Sequence, residues 1–166
     1  DKIWNAVKEV ASAAVDKFIL MRETEGEKLK NDVLSRADFI LEKVSLIEER
    51  SPETVKEYNE KLLERMKTVL GDTQVDEARI LTEAAIYADK VAVAEETVRL
   101  RSHIDQLHSM LDSNEAVGRK LDFLVQEINR EANTIGSKAQ DVDIARRVID
   151  IKAEVEKIRE QIQNIE

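Results

Sequence analysis

Four polar side chains between residues 89 and 103 share one face of a predicted helix. Asp89, Glu96 and His103 follow one another at seven-residue steps, and Arg99 lies between the last two. Carboxylates and an imidazole on one helix face suit a divalent cation, because magnesium takes oxygen ligands and manganese also accepts a histidine nitrogen. Such a cation beside an arginine can promote phosphodiester cleavage by activating water and neutralising the developing charge. The row is therefore a candidate site for metal-assisted phosphoryl chemistry.

The same row has simpler interpretations. Glu96 and Arg99 lie three residues apart and could form an ordinary helix ion pair, with a half-exposed His103 beside them. His103 could also shuttle a proton instead of binding metal. His108 lies on a different helix face, so we assign it no role. The sequence has no Walker loop, His-Glu-x-x-His motif or Gly-x-Ser-x-Gly elbow, which excludes the enzyme classes that those motifs define.

Residues 118–138 carry a second polar face beside an apolar stripe. The stripe residues recur at helical spacing: Leu121, Leu124, Val125, Ile128, Ala132 and Ile135. The polar residues form two neighbouring rows: Arg119, Asp122, Gln126, Asn129 and Asn133, with Lys120, Glu127, Arg130 and Glu131 beside them. Helix propensity does not explain the two asparagines, because side-chain amides are mediocre helix formers. The face could bind a polar ligand, or it could supply helix caps and inter-helix hydrogen bonds.

The composition favours long helices. Of 166 residues, 42% are hydrophobic, 37% charged and 4% aromatic, with four Gly, one Pro and no Cys. The lack of cysteine excludes disulfides and thiolate metal sites, and fits a cytoplasmic protein. No apolar run approaches the roughly 18 residues of a membrane span. The net charge of −9 repels nucleic acid, so any contact with phosphates must be local or metal-assisted.

We predict three segments. Residues 1–21 form a connecting helix, and residues 76–166 form a C-terminal helical domain. Residues 22–75 form a helical hairpin that turns near Ser51, because Ser51 can cap a new helix and Pro52 fits its first position. Gly71 is the expected stop of the second arm.

Two patterns organise the C-terminal domain. No breaker occurs from Asp76 to about Asp112, which predicts one helix of roughly 55 Å. Its apolar stripe steps sideways after Val98. The last helix has a heptad seam, which is typical of coiled-coil packing: Ile144, Val148, Ile151, Val155, Ile158, Ile162 and Ile165. The predicted fold is all-α, with long helices, a protruding helical hairpin and coiled-coil-like packing of the C-terminal helix.

Five segments resemble the C-terminal helical part of the YicC/YloC family of bacterial proteins. They are residues 22–26 with Leu29; Arg79, Ile80 and Glu83; residues 94–96 with Arg99, Leu100, Ser102 and His103; residues 118–138; and residues 159–166. The resemblance covers nearly the whole chain, and residues 118–138 are its most specific part.

The resemblance implies a divalent-metal-dependent endoribonuclease that acts on RNA and assembles as a hexamer. It also implies a β-containing N-terminal domain, absent from this chain, and a natural C-terminus at Glu166. Manganese or magnesium is the expected cofactor, with Glu83, Glu96 and His103 as ligands. The expected catalytic residues are His103, Glu96, Arg99 and Glu127, the last being an alternative ligand. The expected RNA-binding residues are Arg119, Lys120, Gln126, Asn129, Arg130, Asn133 and Lys138.

Two other functions compete with this one. The helices could be an oligomerisation scaffold whose polar rows join subunits without carrying the chemistry. RNA binding without cleavage fits less well, because the chain has few aromatic residues for stacking and no strong basic stripe.

Overall fold

The computed structural model describes residues 2–70, 77–113 and 117–163, and every regular element in these ranges is an α-helix. The helices are α1 (Lys2–Leu70), α2 (Glu77–Val91), α3 (Ala94–Leu111), α4 (Gly118–Lys138) and α5 (Val142–Ile162). The all-α prediction is confirmed. None of the helices in these ranges combines the length and apolar character needed to cross a bilayer.

A four-helix bundle forms the centre of the fold. The stretch of α1 between Val33 and Ile47 packs against α3 and α5, and α4 closes the bundle by packing against the same two helices. The heptad seam of α5 is confirmed from Ile144 to Ile162, whose seam members are at most 5% exposed; Ile165 lies outside the described residues. Its partner helices belong to the same chain.

Helix α1 continues through the predicted hairpin turn. Ser51 and Pro52 lie inside α1, so the prediction of a turn there is wrong. Pro52 lacks the amide hydrogen of a helical residue, but side chains bridge this point. Arg50 donates from Nη1 to Glu57 at 2.6 Å, and from Nη2 to Asp141 of the bundle at 2.9 Å. These contacts support the helix on both sides of the proline.

The hairpin of this molecule is formed by the end of α1 and by α2. These helices pack together, and the rings of Tyr58 and Tyr87 stack with centroids 3.7 Å apart. The two tyrosines lie at nearly equal distances along the chain from residues 71–76, as expected for antiparallel helices. The predicted stop at Gly71 lies outside the described residues.

A break at Ala92 and Val93 separates α2 from α3, so the prediction of one helix over residues 76–112 is wrong. Val93 is buried in the core, and its carbonyl accepts a hydrogen bond from the Thr97 amide at 3.0 Å. The Ala92 carbonyl accepts one from Lys138 Nζ at 2.9 Å. Tertiary contacts therefore stabilise a break that has neither glycine nor proline. Val98 is 65% exposed, because α3 turns a different face to the bundle.

The first part of α1 does not pack against any other described helix. We call residues 2–28 the arm, and every one of them is exposed. It includes most of the predicted connecting helix and many large apolar side chains: Ile3, Trp4, Val7, Val10, Val15, Phe18, Ile19, Leu20 and Met21.

Candidate metal centre

Two carboxylates are buried where α3 packs against α4. Glu96 is 3% exposed and Glu131 is 5% exposed, and with Thr97 they are the buried polar residues of the described chain. Glu131 occupies a position of the apolar stripe, three residues after Ile128 and four before Ile135. A buried carboxylate is costly unless charges or hydrogen bonds compensate it. Both positions therefore require specific partners.

Glu131 belongs to a group of three residues whose ligand atoms converge. One imidazole nitrogen of His103 and one carboxylate oxygen each of Glu127 and Glu131 lie within 4.8 Å of one another. The two glutamates are one turn apart on α4, and His103 faces them from α3. His103 and Glu127 are partly exposed, so the group lies at the edge of the bundle. We call these three residues the candidate metal centre.

The donor atoms of this group fit a divalent cation. His103 Nδ1 is buried and forms no hydrogen bond, whereas the Glu131 carboxylate forms an ion pair with Arg99. Buried polar atoms are normally partnered, so an unpartnered imidazole nitrogen calls for a ligand or an ion. One imidazole nitrogen with carboxylate oxygens is a donor set that manganese accepts. These three residues would hold the cation, which would bring Lewis-acid chemistry to a phosphodiester at this edge of the bundle.

Arg99 contacts the candidate metal centre, and Glu96 and Lys138 follow it in a network of charged side chains. Arg99 Nε is 3.0 Å from Glu131 Oε2, and Arg99 Nη2 is 3.5 Å from Glu96 Oε1. Lys138 Nζ donates to Glu96 Oε1 at 2.9 Å. Burial acts to raise the pKa of the Glu96 carboxyl, but the hydrogen bond from Lys138 and the charge of Arg99 bring that pKa below its ordinary value. The contact with Glu131 contributes most to a raised pKa of Arg99. Glu96 and Arg99 are therefore charged at neutral pH.

The structure brings together part of the predicted metal site. His103 and Glu127 both belong to the candidate metal centre. Glu96 lies beside it, bonded to Lys138, without contributing one of the three converging atoms. Glu83 and Asp89 lie on α2, beyond the break, where both are exposed.

Sequence reasoning did not single out Glu131 as a ligand. Its signal is an acid at an apolar stripe position, one helical turn from Glu127. An acid at such a position is either compensated by a partner across the interface or used by the protein. Which of the two applies depends on α3, whose packing the helical period does not reveal.

The outer face of α4 forms an open polar groove of about 450 Å³. Its lining residues are Gln126, Asn129, Arg130, Asn133, Thr134 and Ser137. Arg130 Nη1 lies 3.7 Å from Glu127 Oε2, which connects the polar groove to the candidate metal centre. Arg119 and Lys120 are exposed in the first turn of the same helix. The ammonium of Lys138, by contrast, is bonded inside the protein.

The asparagines of the polar groove are not explained by helix caps or inter-helix hydrogen bonds. Within the described ranges, the amides of Asn129 and Asn133 form no hydrogen bond, whereas Gln126 Nε2 donates to Asp122 at 2.8 Å. Both amides are thus available to a ligand. The polar face therefore keeps its interpretation as a binding surface.

Comparison with known proteins supports the family resemblance. The family model described as "Endoribonuclease YicC-like, C-terminal" matches residues 47–166. A "Probable endoribonuclease YicC" of Clostridioides difficile (strain 630) is 46% identical over 167 residues, which cover 100% of this chain and 57% of that protein. A "Probable endoribonuclease YicC" of Haemophilus influenzae (strain ATCC 51907 / DSM 11121 / KW20 / Rd) is 38% identical over 149 residues, which cover 90% of this chain and 51% of that protein. The chain thus spans about half the length of these curated relatives. It belongs to the YicC-like endoribonuclease family and matches the C-terminal region of that family.

Proposed function

We propose that this chain is the C-terminal part of a divalent-metal-dependent endoribonuclease that cleaves phosphodiester bonds in RNA. The family and the printed names of both relatives support RNA cleavage. The convergence of His103, Glu127 and Glu131 is the observation that supports a metal centre on these helices. RNA is the proposed substrate, and manganese or magnesium is the proposed cofactor.

The proposal gives each group of residues a role. His103, Glu127 and Glu131 hold the cation, which supplies charge stabilisation for the phosphate and a nucleophile near neutral pH. The Arg130 side chain, 74% exposed beside Glu127, binds a phosphate next to the centre. Arg119 and Lys120 extend this contact along α4, and the groove amides hold the adjacent nucleotides. Because the whole chain carries a charge of −9, these contacts must be local. Further ligation by Glu83 stays a prediction, whereas Glu96, which is bonded to Lys138, is assigned to the charged surroundings of the centre.

Manganese binding and RNA cleavage, measured on the same samples, test the proposal. The wild-type chain should bind Mn²⁺, followed by electron paramagnetic resonance, and a structured RNA should be cleaved only when the cation is present. Glu131→Gln removes a charged ligand while keeping its shape, so we expect Mn²⁺ affinity and cleavage to fall by about 100-fold or more. His108→Gln, on α3 but outside the candidate metal centre, is the matched control and should retain both.

Cleavage that persists in a chelator, or Mn²⁺ binding that is unchanged in Glu131→Gln, would contradict the proposal. A version with the full length of the relatives should be assayed beside this chain. Cleavage by the longer version alone, with Mn²⁺ bound by both, would indicate a composite site to which this chain contributes the metal.

A second candidate is assembly of the oligomer, for which the resemblance implies a hexamer. The observation that favours it is the apolar surface of the arm, on which Trp4 is 68% and Phe18 is 56% exposed. Trp4→Glu should then lower the mass measured by light scattering while Mn²⁺ affinity stays unchanged. A mass that does not change would count against the arm as the assembly surface.

A further inference from the structure

We infer that Lys138 is a positioning residue of the candidate metal centre, acting on Glu131 through Glu96 and Arg99. The inference rests on the proposed function, because it concerns the side-chain arrangement that a bound cation requires. It replaces the sequence-based expectation that Lys138 contacts RNA with a role inside the protein.

Three facing pairs of side chains connect α3 and α4, and we call them the α3–α4 ladder. The pairs are Glu96 with Lys138, Arg99 with Glu131, and His103 with Glu127. Along α3 the members are three and four residues apart, and along α4 they are seven and four apart in the opposite direction. This spacing is that of two antiparallel helix faces in contact. The candidate metal centre thus lies at one end of a row of polar side chains that face each other across the α3–α4 interface.

Lys138 closes the other end of the ladder. Its ammonium donates to Glu96 Oε1 and to the Ala92 carbonyl, each at 2.9 Å. The Glu96 side chain is 4% exposed, and its Oε2 atom is buried without a hydrogen bond. Lys138 therefore provides the closest positive charge to a carboxylate that water does not reach. The same ammonium joins the end of α4 to the break between α2 and α3.

Arg99 lies between the two buried acids and can serve either of them. Its guanidinium is 3.0 Å from Glu131 and 3.5 Å from Glu96. A third partner, Glu95, is 76% exposed, so that pair contributes little. Because Lys138 compensates Glu96, Arg99 is left to hold Glu131.

Removal of the Lys138 ammonium should shift the Arg99 guanidinium from Glu131 toward Glu96. Glu96 would then be a buried anion with Arg99 as its remaining cation among the described residues, so the guanidinium should move toward Glu96. Glu131 would lose the contact that orients it as a ligand. Charge alone predicts the opposite effect on metal affinity, because loss of a nearby positive charge favours a cation. A weaker affinity is therefore diagnostic of positioning.

Mn²⁺ affinity measured by electron paramagnetic resonance tests the inference. Lys138→Met should bind Mn²⁺ about 10- to 100-fold more weakly than the wild type, the range typical of residues that orient metal ligands. Adding Glu96→Gln removes the charge that draws Arg99 away, so the double variant should return to within about threefold of the wild type. Lys152→Met, an equal change on the exposed face of α5, is the matched control and should leave the affinity unchanged.

The outcomes separate the inference from the proposed function. If the wild type binds no Mn²⁺, both the metal centre and the role of Lys138 are overturned. If the wild type binds and Lys138→Met binds as well or better, the role of Lys138 alone is overturned. If Lys138→Met loses its helical circular dichroism, the Mn²⁺ affinity of the double variant tests the inference instead. An affinity that returns to the wild-type range supports the role of Lys138. A loss of affinity at least as large as that of Lys138→Met overturns it.

Discussion

At the residue scale, helix stability does not account for the two asparagines of the polar groove, Asn129 and Asn133. Asparagine is less favourable than alanine in a helix, and neither amide forms a hydrogen bond within the described residues. Their neighbour Arg130 contacts Glu127 of the candidate metal centre. Amide groups both donate and accept, so they can bind the edge of a base or a phosphate oxygen. A role in ligand binding would account for residue types that stability does not favour.

Replacing Asn129 and Asn133 together with alanine should separate stability from binding. We expect the free energy of unfolding in urea to rise by about 0.5–1 kcal/mol, because alanine is the better helix former. The affinity for a labelled single-stranded RNA, measured by fluorescence anisotropy, should fall roughly 5- to 10-fold, the equivalent of one lost hydrogen bond. Thr82→Ala, an exposed change on α2, should leave RNA affinity unchanged. Loss of stability together with a fall in mass would instead favour the oligomerisation scaffold.

At the scale of elements, Asp141 connects the start of α5 to α1. Its carboxylate accepts hydrogen bonds from the amides of Asp143 and Ile144, which makes it the N-cap, and from Arg50 at 2.9 Å. Burial acts to raise the pKa of this carboxyl, but the bonds from Arg50 and from the two amides bring the pKa below its ordinary value. One side chain thus begins a helix and attaches it to its neighbour beside Pro52.

Asp141→Asn should lower stability at neutral pH but not in acid. Asparagine is an equally good N-cap, so the change removes the charge and keeps the cap. A lowered pKa means that Asp141 stabilises the fold above about pH 4, where an unfolded aspartate ionises, and that this contribution is lost as the pH falls through the folded-state value. The variant should therefore be less stable by roughly 1 kcal/mol at pH 7, and the two urea unfolding curves should converge in acid. A difference that is the same at every pH would contradict this account.

The element boundaries show where sequence reasoning succeeds and where it stops. Composition and helical spacing predicted the class of fold, and helical spacing predicted the buried faces of α4 and α5. The Ser51–Pro52 pair predicted a turn where α1 is continuous, and no breaker predicted the break at Ala92. Both boundaries depend on contacts with residues distant in sequence, Asp141 with Arg50 and Lys138 with Ala92. Residue type and spacing were enough to propose His103 for the site, and Glu127 was added as an alternative ligand with the help of the family resemblance. The contribution of Glu131 depends on how α3 packs against α4, which a single helical pattern does not contain.

At the scale of the whole molecule, α1 combines a segment that packs in the core with a segment that is exposed to solvent. Its residues 33–47 supply part of the core, whereas the arm is exposed throughout. An isolated helix is only marginally stable in water, and a continuous exposed apolar surface is typical of an interaction face. The arm is therefore expected to contribute little to the stability of the bundle.

Deleting residues 1–26 should leave the bundle folded. The core begins at Val33, so we expect the Tm measured by circular dichroism to change by less than about 5 °C. Binding of a hydrophobic dye should fall, because the exposed apolar side chains are lost. Hydrogen exchange on the intact chain should show faster exchange of arm amides than of those in residues 33–47. A drop in Tm of more than about 10 °C would mean that the arm packs on the bundle.

The continuity of α1 also sets a rotational phase between its two parts. Trp4 and Phe18 of the arm and the buried Ile40 lie on one uninterrupted helix, so their directions are fixed relative to each other. Inserting one residue between them would turn the arm by about 100°, whereas seven residues would return it to within about 20° of its original direction. For any partner that contacts both the arm and the bundle, a single-residue insertion is therefore more disruptive than an insertion of two full turns.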